Sequence, residues 1–282
     1  MAMATAISEM EVRPLSSACG AEICGVDLTM PLEEKTLNLI REAWYENLII
    51  VFRDQDMANE DQVRFCKYFG ELEEVRTGRY ATEEMRHTMM ITNVTDTGMM
   101  TALENGDMWF HSDQCYYEFP CRASTLYAME IPKVGGNTLF ANCYAAWETL
   151  PTELSAFLDG RKAHNIYDYA GNPLKRGDDV DPAAPSYSHP VARTHPETGR
   201  KALYVNRLMT DLIEGTSAEK SARLLEQLFE HSEKPEFVYE HVWRVGDFVM
   251  WDNRCSMHAR TDFDPAERRM MRRITIKGEA VR

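Results

Sequence analysis

No apolar run in the 282 residues approaches the length of a membrane span. The first residues, Met1 to Glu9, have no basic stretch leading into an apolar core of the secretory type, so neither a signal peptide nor a membrane anchor is expected. Paired cysteines are missing as well. The seven present (Cys19, Cys24, Cys66, Cys115, Cys121, Cys143 and Cys255) are odd in number, scattered, and never spaced Cys-x-x-Cys. That pattern argues against a disulfide framework or a structural zinc knuckle, and for reduced thiols in a cytoplasm. Positive charge is scarce: Lys and Arg number 31 against 45 Asp and Glu, for a net charge of −14. With no long basic run to offset this acidity, nucleic acid and anionic membrane surfaces are poor partners, although a few arginines gathered in one pocket would still hold a small anion. Internal repeats, low-complexity tracts and a Ser-His-Asp or Cys-His arrangement for nucleophilic catalysis are also lacking.

What is present reads as strands with helices early and as insertions. Short apolar runs at residues 11–28, broken by Gly20 and Gly25, predict a strand pair. Pro31, with Glu33 and Glu34 in the first turn, opens a helix carrying Leu32, Leu37, Leu39, Ile40, Ala43 and Trp44. Residues 47–52 are a continuous apolar strand. Asn59 to Phe69 is a second helix, with Asn59 as its expected cap and Gly70 closing it. Strands are expected at 89–93, 123–131, 137–141 and near 272–277, with a hairpin over 189–204 and two strands around the Gly246-Asp247 turn. Helical turns are expected at 144–150 and 151–158, and an amphipathic helix at 217–232. A polar, glycine-punctuated stretch within 73–106 suggests an active-site lid, and 165–190 suggests a long excursion rather than a separate domain. The sum is one mainly β domain over residues 1–282, a jelly roll with helical decoration.

Within it, Trp109-Phe-His-Ser-Asp113 places a histidine and a carboxylate two residues apart, and on an extended strand both project to one face. His111 and Asp113 could therefore share one ion, with a third ligand from elsewhere. Of the eight histidines, His87, His164, His189, His195, His231 and His241 sit in settings better suited to surface or structural roles. His258 differs: it follows an apolar strand, residues 247–251, and a polar turn, and a sheet closing on itself would bring it back to His111. Two histidines and a carboxylate leave open positions on a metal, as in non-haem Fe(II) oxygenases, though a Zn²⁺ hydrolase on a cupin-like barrel could use the same set. A jelly-roll protein that binds a small organic acid without turnover is the third possibility. Four arginines in six residues, 268–273, help to choose. Strand alternation puts Arg269 and Arg273 on one side with Met271, and Arg268 and Arg272 on the other. An inward guanidinium can hold a carboxylate bidentately, which an iron oxygenase that consumes a keto acid needs and a zinc hydrolase does not.

His111-Ser-Asp113, Gly135-Gly-Asn-Thr-Leu-Phe140, Trp251-Asp-Asn-Arg254, His258 and Arg269, in that order, resemble the TauD/TfdA family of Fe(II)/2-oxoglutarate-dependent dioxygenases. The stretches 20–27 and 52–55 look like that family's N-terminal part. The resemblance implies a double-stranded β-helix (cupin-like) core, Fe(II) on His111, Asp113 and His258, and Thr138 and Arg269 on the distal carboxylate of 2-oxoglutarate. It places Arg273 near both co-substrate and substrate, and Trp251 near the iron. It further implies O₂ as co-substrate, a small anionic organic substrate such as an aryloxyalkanoate, aromatic carboxylate or sulfonate, and a dimer or tetramer. Three positions depart from the family pattern. Phe110 stands where a tryptophan commonly precedes the first ligand, and Asn137 stands for the usual aspartate. Val75, Arg76, Arg79 and Tyr80 replace the taurine-binding pattern, which makes Arg79 and Tyr80 candidate substrate contacts and speaks against taurine itself.

Overall fold

The computed structural model describes residues 10–75, 83–94, 108–168 and 181–281. In chain order the strands are β1 (Glu11–Pro14), β2 (Ala21–Cys24), β3 (Ile49–Phe52), β4 (Thr88–Thr92), β5 (Ala123–Glu130), β6 (Thr138–Asn142), β7 (Lys162–Ile166) and β8 (Ser186–Pro190). They continue as β9 (Ala192–Thr194), β10 (Lys201–Leu203), β11 (Thr210–Ile213), β12 (Val238–His241), β13 (Phe248–Asp252), β14 (Ser256–Arg260) and β15 (Met270–Ile276). The helices are α1 (Glu34–Asn47), α2 (Asn59–Lys67), α3 (Cys143–Glu148), α4 (Thr152–Leu158) and α5 (Ala218–Ser232).

Seven strands form the larger sheet, in the order β1-β2-β3-β13-β5-β15-β4, and β12-β6-β14 form the sheet that faces it. The alternation of apolar residues shows how they pack. Ile49, Val51, Leu126, Val249, Trp251 and Met271 share one cluster with Phe140, Tyr239 and Met257 of the smaller sheet, which is the interior of the sandwich. Their neighbours Ile50, Phe52, Phe248, Met250, Ile274 and Ile276 point the other way and are covered by Ile40 and Trp44 of α1 and Phe65 of α2. The central strands of the larger sheet are therefore buried on both faces, whereas the edge strand β1 is exposed, and β3 and β13 read as unbroken apolar runs because they have no wet side. A third cluster joins α3, α4 and α5 to the β9–β10 hairpin and the β11-β7-β8 sheet. The mainly β, jelly-roll expectation holds.

Several local expectations need correction. Asn59 does not cap α2: the backbone N–H of Ala58 donates to the Asp61 carboxylate at 3.0 Å. The Asn59 side chain instead accepts from Thr88 Oγ1 at 2.7 Å and donates to the Glu84 carbonyl at 2.9 Å, tying the helix to β4. The stretch 165–190 is not wholly an excursion, because β7 and β8 pair with one another across it, Ile166 with Ser186 and Lys162 with Pro190. The two strands expected around Gly246-Asp247 are present, as β12 and β13. β12 pairs with β6 and β13 with β3 and β5, so the turn carries the chain from one sheet to the other. Strands β7, β11 and β14 carry polar residues at buried positions, which breaks the apolar alternation that would announce them. Of the suggested lid, residues 76–82 and 95–106 lie outside the described residues.

Candidate active site

His111 and His258 face each other across a bridge: the His111 N–H donates to the His258 carbonyl at 3.0 Å, and the His258 N–H donates back at 2.9 Å. His111 thus adds one rung to the free edge of β14. The stretch is less extended than its alternation suggested, because the chain turns at Asp113 and Gln114 takes a φ of 60°. The side chains converge nonetheless. His111 Nε2 lies 3.9 Å from Asp113 Oδ1, and His258 Nε2 lies 3.8 Å from Asp113 Oδ2. These gaps are too long for hydrogen bonds and short enough for one small cation to touch all three donors.

The residues around the trio aim its donors. His111 Nδ1 is engaged by the Trp109 carbonyl at 2.8 Å, which fixes the tautomer and leaves Nε2 with its lone pair. His258 is packed by the Trp251 ring at 4.8 Å and by Phe140 at 6.3 Å. Trp251 is thus both core and wall of the site. Ser124 Oγ donates to Asp113 Oδ2 at 2.6 Å, and Asn253 Oδ1 accepts from the Asp113 N–H at 3.3 Å and from Trp251 Nε1 at 3.1 Å. All three ligand candidates are buried, with 3%, 5% and 8% exposure for His111, Asp113 and His258. Burial works against charge on Asp113. The Arg273 guanidinium, the imidazoles of His258 and His111, and the Ser124 hydroxyl outweigh it and hold the carboxyl well below the usual carboxylate range. Burial, followed by the neighbouring His111, pushes His258 down to about 3, with Asp113 opposing, so its ring is neutral near pH 7 and able to ligate. His258 Nδ1 is buried and has no hydrogen-bond partner among the described residues. Two imidazole Nε2 atoms and a carboxylate held ionised, converging at distances too long for hydrogen bonds, fit a divalent metal ion.

The arginine run divides as alternation predicts, with one amendment. Arg273 Nη2 lies 2.6 Å from Asp113 Oδ1 and 3.3 Å from Ser124 Oγ, on the interior face. Arg269 is buried on that side against Gly136, where a Cβ on the glycine would stand 3.4 Å from the Arg269 Cδ and Nε. Gly136, at φ +66°, both turns the chain and leaves room for that side chain. Thr138 follows two residues later at the start of β6, its Oγ1 accepting from Trp243 Nε1 at 3.0 Å. Arg268 pairs with Glu130 at the surface. Arg272 faces away from the site but not into solvent: it is buried under α2, donating to the Met57 carbonyl beside the Tyr127 ring. Arg79 and Tyr80, the candidate substrate contacts, lie outside the described residues.

The other histidines have structural partners. His164 pairs with Asp211, His189 with the Tyr117 carbonyl, and His231 with the Ala146 carbonyl. His241 lies buried between Tyr239 and Asp247. His195, Asp252 and Cys255 form a second buried group with ligand-type atoms, but Asp252 is bound by Arg254 and His195. Ser124, Asn253 and Trp243 were not singled out from the sequence. Only Asn253 carried a signal, as part of the Trp251–Arg254 motif. Ser124 and Trp243 sit in ordinary strand and loop contexts, and the fold alone brings them to the site.

Comparison with known proteins agrees with this geometry. The chain is 31% identical to the (S)-phenoxypropionate/alpha-ketoglutarate-dioxygenase of Sphingobium herbicidovorans, covering 95% of each chain. It is 32% identical to the alpha-ketoglutarate-dependent 2,4-dichlorophenoxyacetate dioxygenase of Cupriavidus pinatubonensis, over 95% of this chain and 98% of that one. The crystal structure of a taurine dioxygenase from Burkholderia xenovorans superposes with a TM-score of 0.83 at 31% identity, covering 96% and 90% of the two chains. The hydrolase and the non-catalytic binding protein are thereby set aside. Residues 11–275 match the family described as taurine catabolism dioxygenase TauD, TfdA family, and the chain belongs to that family of dioxygenases.

Proposed function

We propose that this 2-oxoglutarate-dependent dioxygenase holds Fe(II) through His111, Asp113 and His258 and oxidises a small anionic organic acid, with aryloxyalkanoates as the first candidates. The observation that carries this is the buried convergence of those three donors beside Arg273, all within 4.8 Å of one another. When bound, Fe(II) supplies the redox chemistry that couples reduction of O₂ to oxidative decarboxylation of 2-oxoglutarate. In balance, substrate C–H, O₂ and 2-oxoglutarate give substrate C–OH, succinate and CO₂, with bond cleavage following where the hydroxylated carbon bears a leaving oxygen.

The chain's own residues bind, orient and exclude water. Arg269 and Thr138 hold the distal carboxylate of 2-oxoglutarate, the guanidinium by charge and the hydroxyl by a directed hydrogen bond. Arg273 meets the substrate anion, and exchanges its contact with Asp113 for that anion as the site fills. The apolar interior formed by Phe140, Trp251 and Met271 keeps bulk water from the reacting centre. An arginine selects for anions without naming the acid, so the aryloxyalkanoate preference rests on the phenoxy-acid relatives, and sulfonates and aromatic carboxylates remain in the test panel. One domain, a homo-oligomeric state, a cytoplasmic location and a lid within 73–106 complete the proposal.

The test is a turnover panel over aryloxyalkanoates, aromatic carboxylates and sulfonates, reading succinate with and without Fe(II) and 2-oxoglutarate. Substrate-stimulated succinate that requires both is the expected result. Full iron loading with no succinate from any member of the panel overturns it.

A further inference from the structure

We propose that Trp243 is a positioning residue for the co-substrate, acting through the Thr138 hydroxyl. The inference rests on the assignment of Thr138 and Arg269 to the distal carboxylate of 2-oxoglutarate and adds a residue not otherwise given a role.

Thr138 is 3% exposed, and its side chain faces the sandwich interior alongside Phe140. A threonine hydroxyl has one proton to give and two lone pairs to receive. Trp243 Nε1 donates to one lone pair at 3.0 Å. Among the described residues no acceptor takes the Thr138 hydroxyl proton. Here is a buried donor with its acceptor missing, in a position where leaving it unsatisfied carries a cost. A carboxylate oxygen is the acceptor that removes that cost. An indole nitrogen can donate and never accept, so with Trp243 in place the hydroxyl cannot turn its proton that way. A threonine free to rotate would serve as acceptor or donor. This one is set as a donor before the ligand arrives, and the bond it accepts polarises the one it gives.

Trp243 is itself held firmly. It is 5% exposed, and the His241 ring meets it edge to face at 4.5 Å and 83°. His241 is pinned between Tyr239 Oη at 2.9 Å and Asp247 Oδ2 at 3.2 Å, and Asp247 pairs in turn with Arg53. His241 also lies opposite Thr138 in the β12–β6 register, so one strand pairing sets both ends of the contact. Pre-orientation of this kind acts on ligand affinity and on the choice between keto acids, and not on the oxidation step.

The experiment measures 2-oxoglutarate binding by calorimetry to the Mn(II)-loaded full chain, where no turnover occurs, beside 2-oxopentanoate, which lacks the distal carboxylate. The variants are Trp243→Phe, Thr138→Val, the double variant and Arg269→Ala. Trp243→Phe should weaken 2-oxoglutarate about 5- to 10-fold, the size of one directed hydrogen bond. The double variant should bind no more weakly than Thr138→Val alone, and 2-oxopentanoate should change less than about 2-fold in either single variant. Should Trp243→Phe fail to fold, as thermal melting without ligand will reveal, replacing Trp243 by benzothienylalanine removes the N–H at constant shape. The proposal is overturned if either replacement binds 2-oxoglutarate as the wild type does. It is equally overturned if the loss adds to that of Thr138→Val, or if 2-oxopentanoate weakens in parallel, since Trp243 would then only pack. If Thr138→Val and Arg269→Ala both leave 2-oxoglutarate binding unchanged, the clamp assignment itself fails, a result distinct from failure of Trp243 alone.

Discussion

His258 with Asp113 and His195 with Asp252 are both buried imidazole–carboxylate pairs, and the chain running from β13 into β14 supplies a member of each. They differ in what the carboxylates have left to give. Asp252 accepts from the Arg254 backbone N–H at 2.9 Å, its Nε at 2.8 Å and its Nη2 at 2.7 Å, and from His195 Nε2 at 3.1 Å. A carboxylate has about four lone-pair sites, and these are filled. Arg254 is fully buried and continues to Glu197 and Glu279, so the group is a closed network that joins the C-terminal segment to the hairpin. Asp113 accepts from Ser124 and pairs with Arg273, while both histidines stop at 3.8 to 3.9 Å. Buried donors of the same type thus become a strut where their lone pairs are spent, and a candidate binding site where the fold withholds their partners.

That contrast can be broken most sharply at the ligands. His111→Ala or His258→Ala should abolish metal retention, measured by metal analysis after gel filtration, and reduce turnover to background. The melting midpoint without metal should stay near that of the wild type. Full metal occupancy in either variant would show that the trio is another strut. Asp252→Ala should do the reverse, leaving Arg254 buried without its main counter-charge and costing about 3–5 kcal/mol in denaturant unfolding. Protein that still folds should bind metal at wild-type stoichiometry. Arg269→Ala should raise the 2-oxoglutarate concentration needed for half-maximal turnover about 10- to 100-fold, because a charge-assisted pair is lost. An unchanged requirement would move the clamp to another arginine.

The smallest effect is a pH dependence. Burial opposes charge on Asp252, but Arg254 and then His195 outweigh it and hold the carboxyl below the usual range. A depressed folded-state value means that the unfolded chain takes up the proton first as pH falls below about 4. The stabilisation is complete at neutral pH and lost in acid. Acid unfolding of Asp252→Asn followed by circular dichroism should therefore show a flatter limb than the wild type. A parallel limb would mean that other carboxylates govern acid stability.

Much of this was legible in the chain itself. Unbroken apolar runs marked β3 and β13 because a strand buried on both faces needs no polar side. The spacing of Leu37, Ile40, Ala43 and Trp44 marked α1 because those four residues are buried, whereas Leu39, read with them, is exposed. Alternation separated Arg273 from Arg272 because the two are consecutive residues of β15, while Arg268 and Arg269 precede the strand and keep their separate sides although its pairing with β5 shifts register between Met270 and Met271. Where tertiary partners override local pattern, the reading failed. Asn59 has the chemistry of a cap, but Thr88 and Glu84 engage it. Arg272 has the charge of a surface residue, but α2 covers it.

The candidate set His111, Asp113, His258, Thr138 and Arg269 was legible in the sequence, because donor chemistry resides in side-chain type and the order of the motifs is a property of the chain. Which aspartate keeps open lone pairs, and which hydroxyl keeps a proton to give, was decided only by tertiary structure. Those properties depend on the atoms across the sheet, Arg254 against Asp252 and Trp243 against Thr138. Trp243 meets Thr138 from 105 residues away, a distance in sequence that no local pattern spans.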